Sequence, residues 1–270
     1  MFTRLEILPR EERIIRKIKE KIKPPRIRKE YIQVKSGTPF LKLSVREDYF
    51  SWSEISLSLS GSERRILTDS EMRIPPETGL ERGEFYSLGT VLMMKTALSL
   101  FEKAELPRNL SFALYDRNAS CVRLLKKIVP FVRYASVYTE KISGYFYEAS
   151  EIMRKSGMSI KVNEYSSFSR PADIVVADCF MRGMKGAGLI FLGRNDVVAY
   201  NTVTGEGFSL PEEYAYLCRE GDDAFAFASA LYESCSVRCL EESGFERLCF
   251  AGKVTDTEKL LEKCCSVGNT

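Results

Sequence analysis

The sequence predicts an α/β protein: a doubly wound, mainly parallel sheet with a smaller N-terminal α+β region. Three observations carry this. Strand-like and helix-like runs alternate from residue 110 to 192, apolar residues within the helical runs fall three and four apart, and the first 78 residues lack that rhythm. Parallel strands need a crossover, and a helix is the usual one because it also covers the sheet. With 270 residues, 44% hydrophobic and 29% charged, the chain has material for one large core or two small ones. The same figures exclude a collagen-like, coiled-coil or disordered chain.

Residues 1–35 carry twelve basic residues against five glutamates, a net charge of +7, which leaves the rest of the chain at −4. Ile14, Ile18 and Ile22 recur every fourth residue, which predicts a basic amphipathic helix stopped by Pro24 and Pro25. Its isoleucine stripe is expected to dock on the protein's own core or on a second subunit. Contact with nucleic acid through residues 1–35 is the weaker expectation, since no aromatic residue is interleaved before Tyr31. From about residue 30 to 75, short alternating runs around Gly37-Thr38-Pro39 and Ser60-Gly61-Ser62 predict a small antiparallel sheet. Its clearest strand is Ile55–Leu59, where Ile and Leu alternate with Ser. Ile74-Pro75-Pro76-Glu77-Thr78-Gly79 marks a boundary, because consecutive prolines cannot join a ladder. The expected domains are therefore 1–78 and 79–270.

Glu84 to Ala104 reads as a long helix ended by Leu106-Pro107. Leu110–Tyr115, Ala135–Thr139, Ile160–Val162, Asp173–Ala177 and Gly188–Leu192 then read as five strands, with helices over 119–129 and 144–155 between the first three. Val197–Val203 predicts a further strand or hairpin, Ala224–Leu240 an apolar helix, Arg247–Ala251 a last strand and Thr257–Cys264 a last helix. The longest apolar run is broken by Lys95 and is too short for a bilayer, so no membrane association is expected.

Zero histidines remove imidazole acid–base chemistry, Ser-His-Asp and Cys-His catalysis and zincin sites. The eight cysteines, without a CxxC pair, read as reduced thiols of a cytoplasmic protein, and no metal site is expected. Cys235 and Cys239 read as two small apolar residues one helical turn apart. Of Cys264 and Cys265 only one can face inward. Lys95 reads as a lysine at the edge of an apolar stripe. The glycines of 182–188 precede a strand instead of following one, so they form a connection and not a phosphate cradle.

In a doubly wound sheet ligands gather at the carboxyl ends of the strands, where strand order reverses. That nominates Asp116, Arg117, Asn118 and Ser120 after the first strand, Thr139 and Glu140 after the second, Asn163-Glu164-Tyr165 after the third, Asp178 after the fourth and Gly193-Arg194-Asn195 after the fifth. By the order and spacing of these elements, about residues 107–195 resemble the Rossmann-like superfamily. The resemblance implies a nucleotide or nucleotide-containing cofactor such as NAD(P). It also implies a G-x-G-x-x-G loop, where this chain has Asp116 to Cys121 with no glycine. Asp116 stands where a phosphate would come closest and is expected to repel it. Ser120 or Asn118 is expected to cap the following helix, and Arg117 offers a planar fork for an anion. Glu140 lies 24 residues past Asp116, near the family's ribose-binding acid. Three functions follow: a Rossmann-like protein binding a nucleotide-like or other small anionic ligand; an NAD(P)-dependent oxidoreductase with a divergent cofactor loop, using Lys95 or a tyrosine as proton donor; or a non-catalytic protein using its basic arm for assembly or nucleic acid.

Overall fold

The computed structural model describes residues 1–9, 26–68, 71–103, 110–165, 172–181, 184, 186–194, 197, 199–219 and 221–266. The basic helix expected over 10–23 lies outside them. The chain forms two compact units, one of Met1–Phe85 with Pro211–Arg238, the other of Tyr86–Leu210 with Cys239–Thr270.

The first unit is built on β1 (Thr3–Leu8), β2 (Ile27–Ile32), β3 (Phe40–Arg46), β4 (Arg65–Leu67) and β5 (Glu81–Arg82), in the order β2-β3-β1-β4-β5. The antiparallel sheet expected from the sequence is not what forms. Only β2–β3 is antiparallel, whereas β1 runs parallel to β3 and β4, and β4 parallel to β5. The expected strand at 55–59 is instead α1 (Trp52–Ser58). Ile55 and Leu59 are 0% and 3% exposed while Leu57 is 88% exposed, so the four-residue spacing decides and the alternation does not.

Strand β1 sits mid-sheet although Arg4 and Glu6 lie on it, both buried. Buried charge is tolerated only when paired. Arg4 donates to the Leu217 carbonyl and pairs with Asp222; Glu6 pairs with Lys42 at 3.1 Å and with Arg219, and accepts from the Ser44 hydroxyl at 2.9 Å. Burial pushes the Glu6 carboxyl up, but Arg219, Lys42 and Ser44 together hold it below its ordinary value. The segment after Pro211 forms α5 (Glu212–Ala215) and α6 (Ala224–Cys235). Asp223 caps α6 by accepting from the Phe225 and Ala226 amides, and Phe227 brings an edge-on ring to Phe2 and Phe40, which stack at 5.1 Å. The helix stops at Cys235, with Ser236 in the left-handed region, so Cys235 and Cys239 do not share a helix as expected.

The second unit contains β6 (Ser111–Tyr115), β7 (Tyr134–Thr139), β8 (Ile160–Glu164), β9 (Ile174–Ala177), β10 (Leu189–Leu192), β11 (Thr202–Glu206), β12 (Arg247–Phe250) and β13 (Lys253–Thr255). Their order is β13-β12-β11-β10-β9-β6-β7-β8. Strands β6 to β11 are parallel throughout, and β12 and β13 close the edge as antiparallel partners. Numbered from β6, the parallel part reads 3-2-1-4-5-6, the Rossmann order.

Helix α2 (Ser87–Lys103) precedes the sheet and packs on β9 and β10 and against α3 (Val122–Ile128); α4 (Ile142–Ser156) packs on β8, and α7 (Thr257–Ser266) against α2. Residues Ala113, Tyr115, Val175, Ala177, Ile190 and Leu192 share one sheet face by register. That face is covered by Ala172, Met184 and Ala187, with Phe180 and Met181, from the connections around β9 and β10. The alternate residues Ile174, Val176, Leu189 and Phe191 point the other way, where α2 lies. Of the adjacent thiols on α7, Cys264 is buried, with its pKa pushed up to about 12 by burial, and Cys265 is half-buried. Among the described residues no helix is long and apolar enough to cross a membrane.

Candidate functional site

Strands β6 and β9 are neighbours in the sheet, yet the chain leaves β6 toward β7 on one side and β9 toward β10 on the other. This is the reversal point at which Rossmann sheets open a crevice. Asp116 and Asp178 are the first residues beyond these two strands, tied by the Asp178 amide donating to the Tyr115 carbonyl at 3.1 Å.

Asp116 is turned inward and is 1% exposed. One oxygen accepts from the Cys121 amide at 2.7 Å and from the Tyr145 hydroxyl of α4, and Ser120 also bonds to the carboxyl. The expected capping of α3 by Ser120 or Asn118 is thus replaced: Cys121 is the N-cap residue, and its amide is taken by Asp116. Burial pushes the Asp116 carboxyl above its ordinary value, against the Tyr145 and Cys121 hydrogen bonds that favour the ion, and the charge of Asp178 adds to the rise. The loop turns through Ala119 at φ 58°, in the left-handed region that glycine adopts most freely.

Asp178 is also buried and also raised by burial. It accepts from the Tyr165 hydroxyl and, at 3.3 Å, from the Arg117 amide. The Arg117 side chain then lies between two rings, its guanidinium carbon 4.7 Å from the centre of Tyr86 and 4.8 Å from that of Tyr165. Arg194, beyond β10, stands 5.2 Å from the centre of the same Tyr86 ring. Tyr86 therefore contacts two cations, and four side chains alternate as Arg194, Tyr86, Arg117 and Tyr165. The Arg117 Nε is 3.4 Å from Glu140 Oε1 but outside hydrogen-bonding geometry, leaving a buried donor atom unpaired.

The first turn of α2 completes the rim. Asn118 donates to the Ser87 hydroxyl at 3.1 Å, and no acidic residue occupies that turn. Thr139 is internal: its hydroxyl donates to the Arg117 carbonyl at 3.2 Å and accepts from the Lys141 amide at 3.0 Å.

The seven nominated residues thus fall into one neighbourhood with different duties. Arg117 and Glu140 reach solvent, Asn118 and Ser120 brace the loop, and Asp116, Thr139 and Asp178 are built into it. Sequence reasoning nominated the loops holding Tyr165 and Arg194 without singling out either residue, and it missed Tyr86, Ser87 and Tyr145. Tyr86 sits immediately before an apolar helix, a position that carries no motif. Lys95, the proposed proton donor, donates instead to the Glu241 carbonyl at 2.5 Å. Chemically, the crevice offers guanidinium forks on aromatic faces. The Cys179 thiol beside Tyr165 is pushed up by burial, which makes it a poor nucleophile.

No protein-family model matches the chain, and no curated protein matches it significantly. Among solved structures it is similar to L-tryptophan dehydrogenase from Nostoc punctiforme, with 16% identity and a TM-score of 0.22 over 64% of this chain. The match spans 53% of that protein's length. The class is set by strand order itself: the second unit is a Rossmann-like α/β fold.

Proposed function

We propose that the second unit binds a small anionic ligand, nucleotide-like or smaller, at the carboxyl ends of β6, β9 and β10. The alternating stack of Arg194, Tyr86, Arg117 and Tyr165 carries this reading. Aromatic faces hold the two guanidiniums in place, and a held planar fork is suited to a carboxylate or phosphate. Asp116 argues against a dinucleotide seated in the usual way. Its carboxyl already occupies the amide at the start of α3, and the loop lacks the glycines that let a pyrophosphate approach. The residues therefore do not fit NAD(P) in its standard position, and no hydride step is assigned.

The test is thermal unfolding of the full chain with AMP, ADP, NAD(H), NADP(H) and S-adenosylmethionine at millimolar levels. At ten times Kd a ligand stabilises by about 1.4 kcal/mol. At least one of the phosphate-bearing nucleotides should raise Tm, and replacing both Arg117 and Arg194 with Ala should abolish the shift. No shift with any of them, or an undiminished shift in the double variant, overturns the reading.

A further inference from the structure

A second recess lies within the same unit, between the C-terminal half of α2, the segment leading into β12 and the first residue of α7. Its volume is about 290 Å³, at the small end of ligand pockets. Leu100, Phe245 and Leu248 give it an apolar floor, and Lys95, Ser99 and Lys103 line it from α2. Spaced four apart, these three residues stand on one helix face, with an ammonium at each end. The two lysines differ. Lys95 is held by the loop, donating to the Glu241 carbonyl and lying 3.9 Å from the Glu241 carboxylate. Lys103 is exposed and makes no ion pair among the described residues. Asp256, next to the lining residue Thr257, is turned to its own helix: it accepts from the Lys259 amide at 2.8 Å and pairs with the Lys259 ammonium at 3.2 Å.

An apolar floor with an exposed ammonium at its mouth is the complement of an amphipathic anion. We infer that this recess binds a small organic carboxylate, its apolar body on Phe245 and Leu248 and its charge on Lys103. The inference is independent of the crevice at Arg117.

The probe is 3-phenylpropionate, titrated into the full chain carrying labelled leucine methyl groups, with 3-phenylpropionamide and inorganic phosphate in parallel. The carboxylate should shift the Leu92, Leu100 and Leu248 methyl signals saturably. The uncharged amide, and the carboxylate against Lys103→Gln, should each bind about tenfold more weakly, as expected for one charged hydrogen bond. Ser99→Trp, at an exposed helix position, should block the recess while the protein stays folded. Four results overturn the proposal: no saturable shift, equal binding of the amide, unchanged affinity in Lys103→Gln, or the same shifts with phosphate alone.

Discussion

Gly89 and Gly193 meet backbone to backbone. A Cβ on Gly89 would fall 2.1 Å from the Gly193 carbonyl oxygen, and one on Gly193 would fall 2.7 Å from the Thr90 amide nitrogen. This seats the first turn of α2 on the end of β10. Replacing a helical Gly with Ala ordinarily gains about 1 kcal/mol. Here the sign should reverse: Gly89→Ala is expected to cost about 2–3 kcal/mol, because backbone and not a flexible side chain must give way. Urea denaturation reads it, and an unchanged or raised midpoint would refute the close approach.

Ala119 holds the left-handed conformation that glycine adopts without a Cβ penalty. Ala119→Gly should therefore stabilise the protein by about 1 kcal/mol, the usual cost of that conformation being 1–2 kcal/mol before glycine's extra chain entropy. Ala119→Val should destabilise it. Equal midpoints for all three proteins would remove the strain from the loop.

Asp116 gives a pH signature. Its ordinary value is 3.8, and burial raises it in the folded protein. Between the two values the folded state keeps a proton that the unfolded state has lost, so stability falls as pH rises through that window. Asp116→Asn cannot titrate, yet its carbonyl still accepts from Cys121 and Tyr145. The stability advantage of wild type over this variant should thus be largest near pH 4 and shrink toward pH 8. A difference independent of pH between 4 and 8, followed by chemical denaturation, would show that the carboxyl is not raised.

Phe227 is 1% exposed and packs edge-on against Phe2 and Phe40. Phe227→Ala should cost about 3–5 kcal/mol, the range for deleting a buried aromatic ring. Because α6 belongs to the first unit, tryptophan fluorescence from Trp52 in that unit should report the loss in full. A cost under 1 kcal/mol would mean that the ring cluster collapses without it.

The second unit was largely legible because its central strands β9 and β10 are wholly apolar and Pro130 and Gly157 follow α3 and α4, signals that are local in sequence. The first unit was not. β1 carries Arg4 and Glu6 on a buried face, a pattern that reads as a charged arm until Leu217, Arg219 and Asp222 arrive from two hundred residues away to satisfy it. Likewise Ser between Ile55 and Leu59 imitates a strand, and only the burial of both apolar ends on one side decides for a helix. In the crevice the loops were predictable from strand ends. Which way Asp116 would turn was not, because the answer depends on the Tyr145 hydroxyl, which belongs to the next helix but one in the chain.

The chain makes α2 before it makes the strands that α2 covers. Twelve of its residues, from Ser87 to Phe101, end up buried, and β10 begins only at Leu189, 86 positions after the helix ends at Lys103. At about 5–20 residues per second, a ribosome needs roughly 4–17 s to cross that gap. Through that interval the apolar face of a nascent helix waits without its docking surface. A fragment starting at residue 110 meets the opposite difficulty, since Ile174, Val176, Leu189 and Phe191 would then lie bare to water.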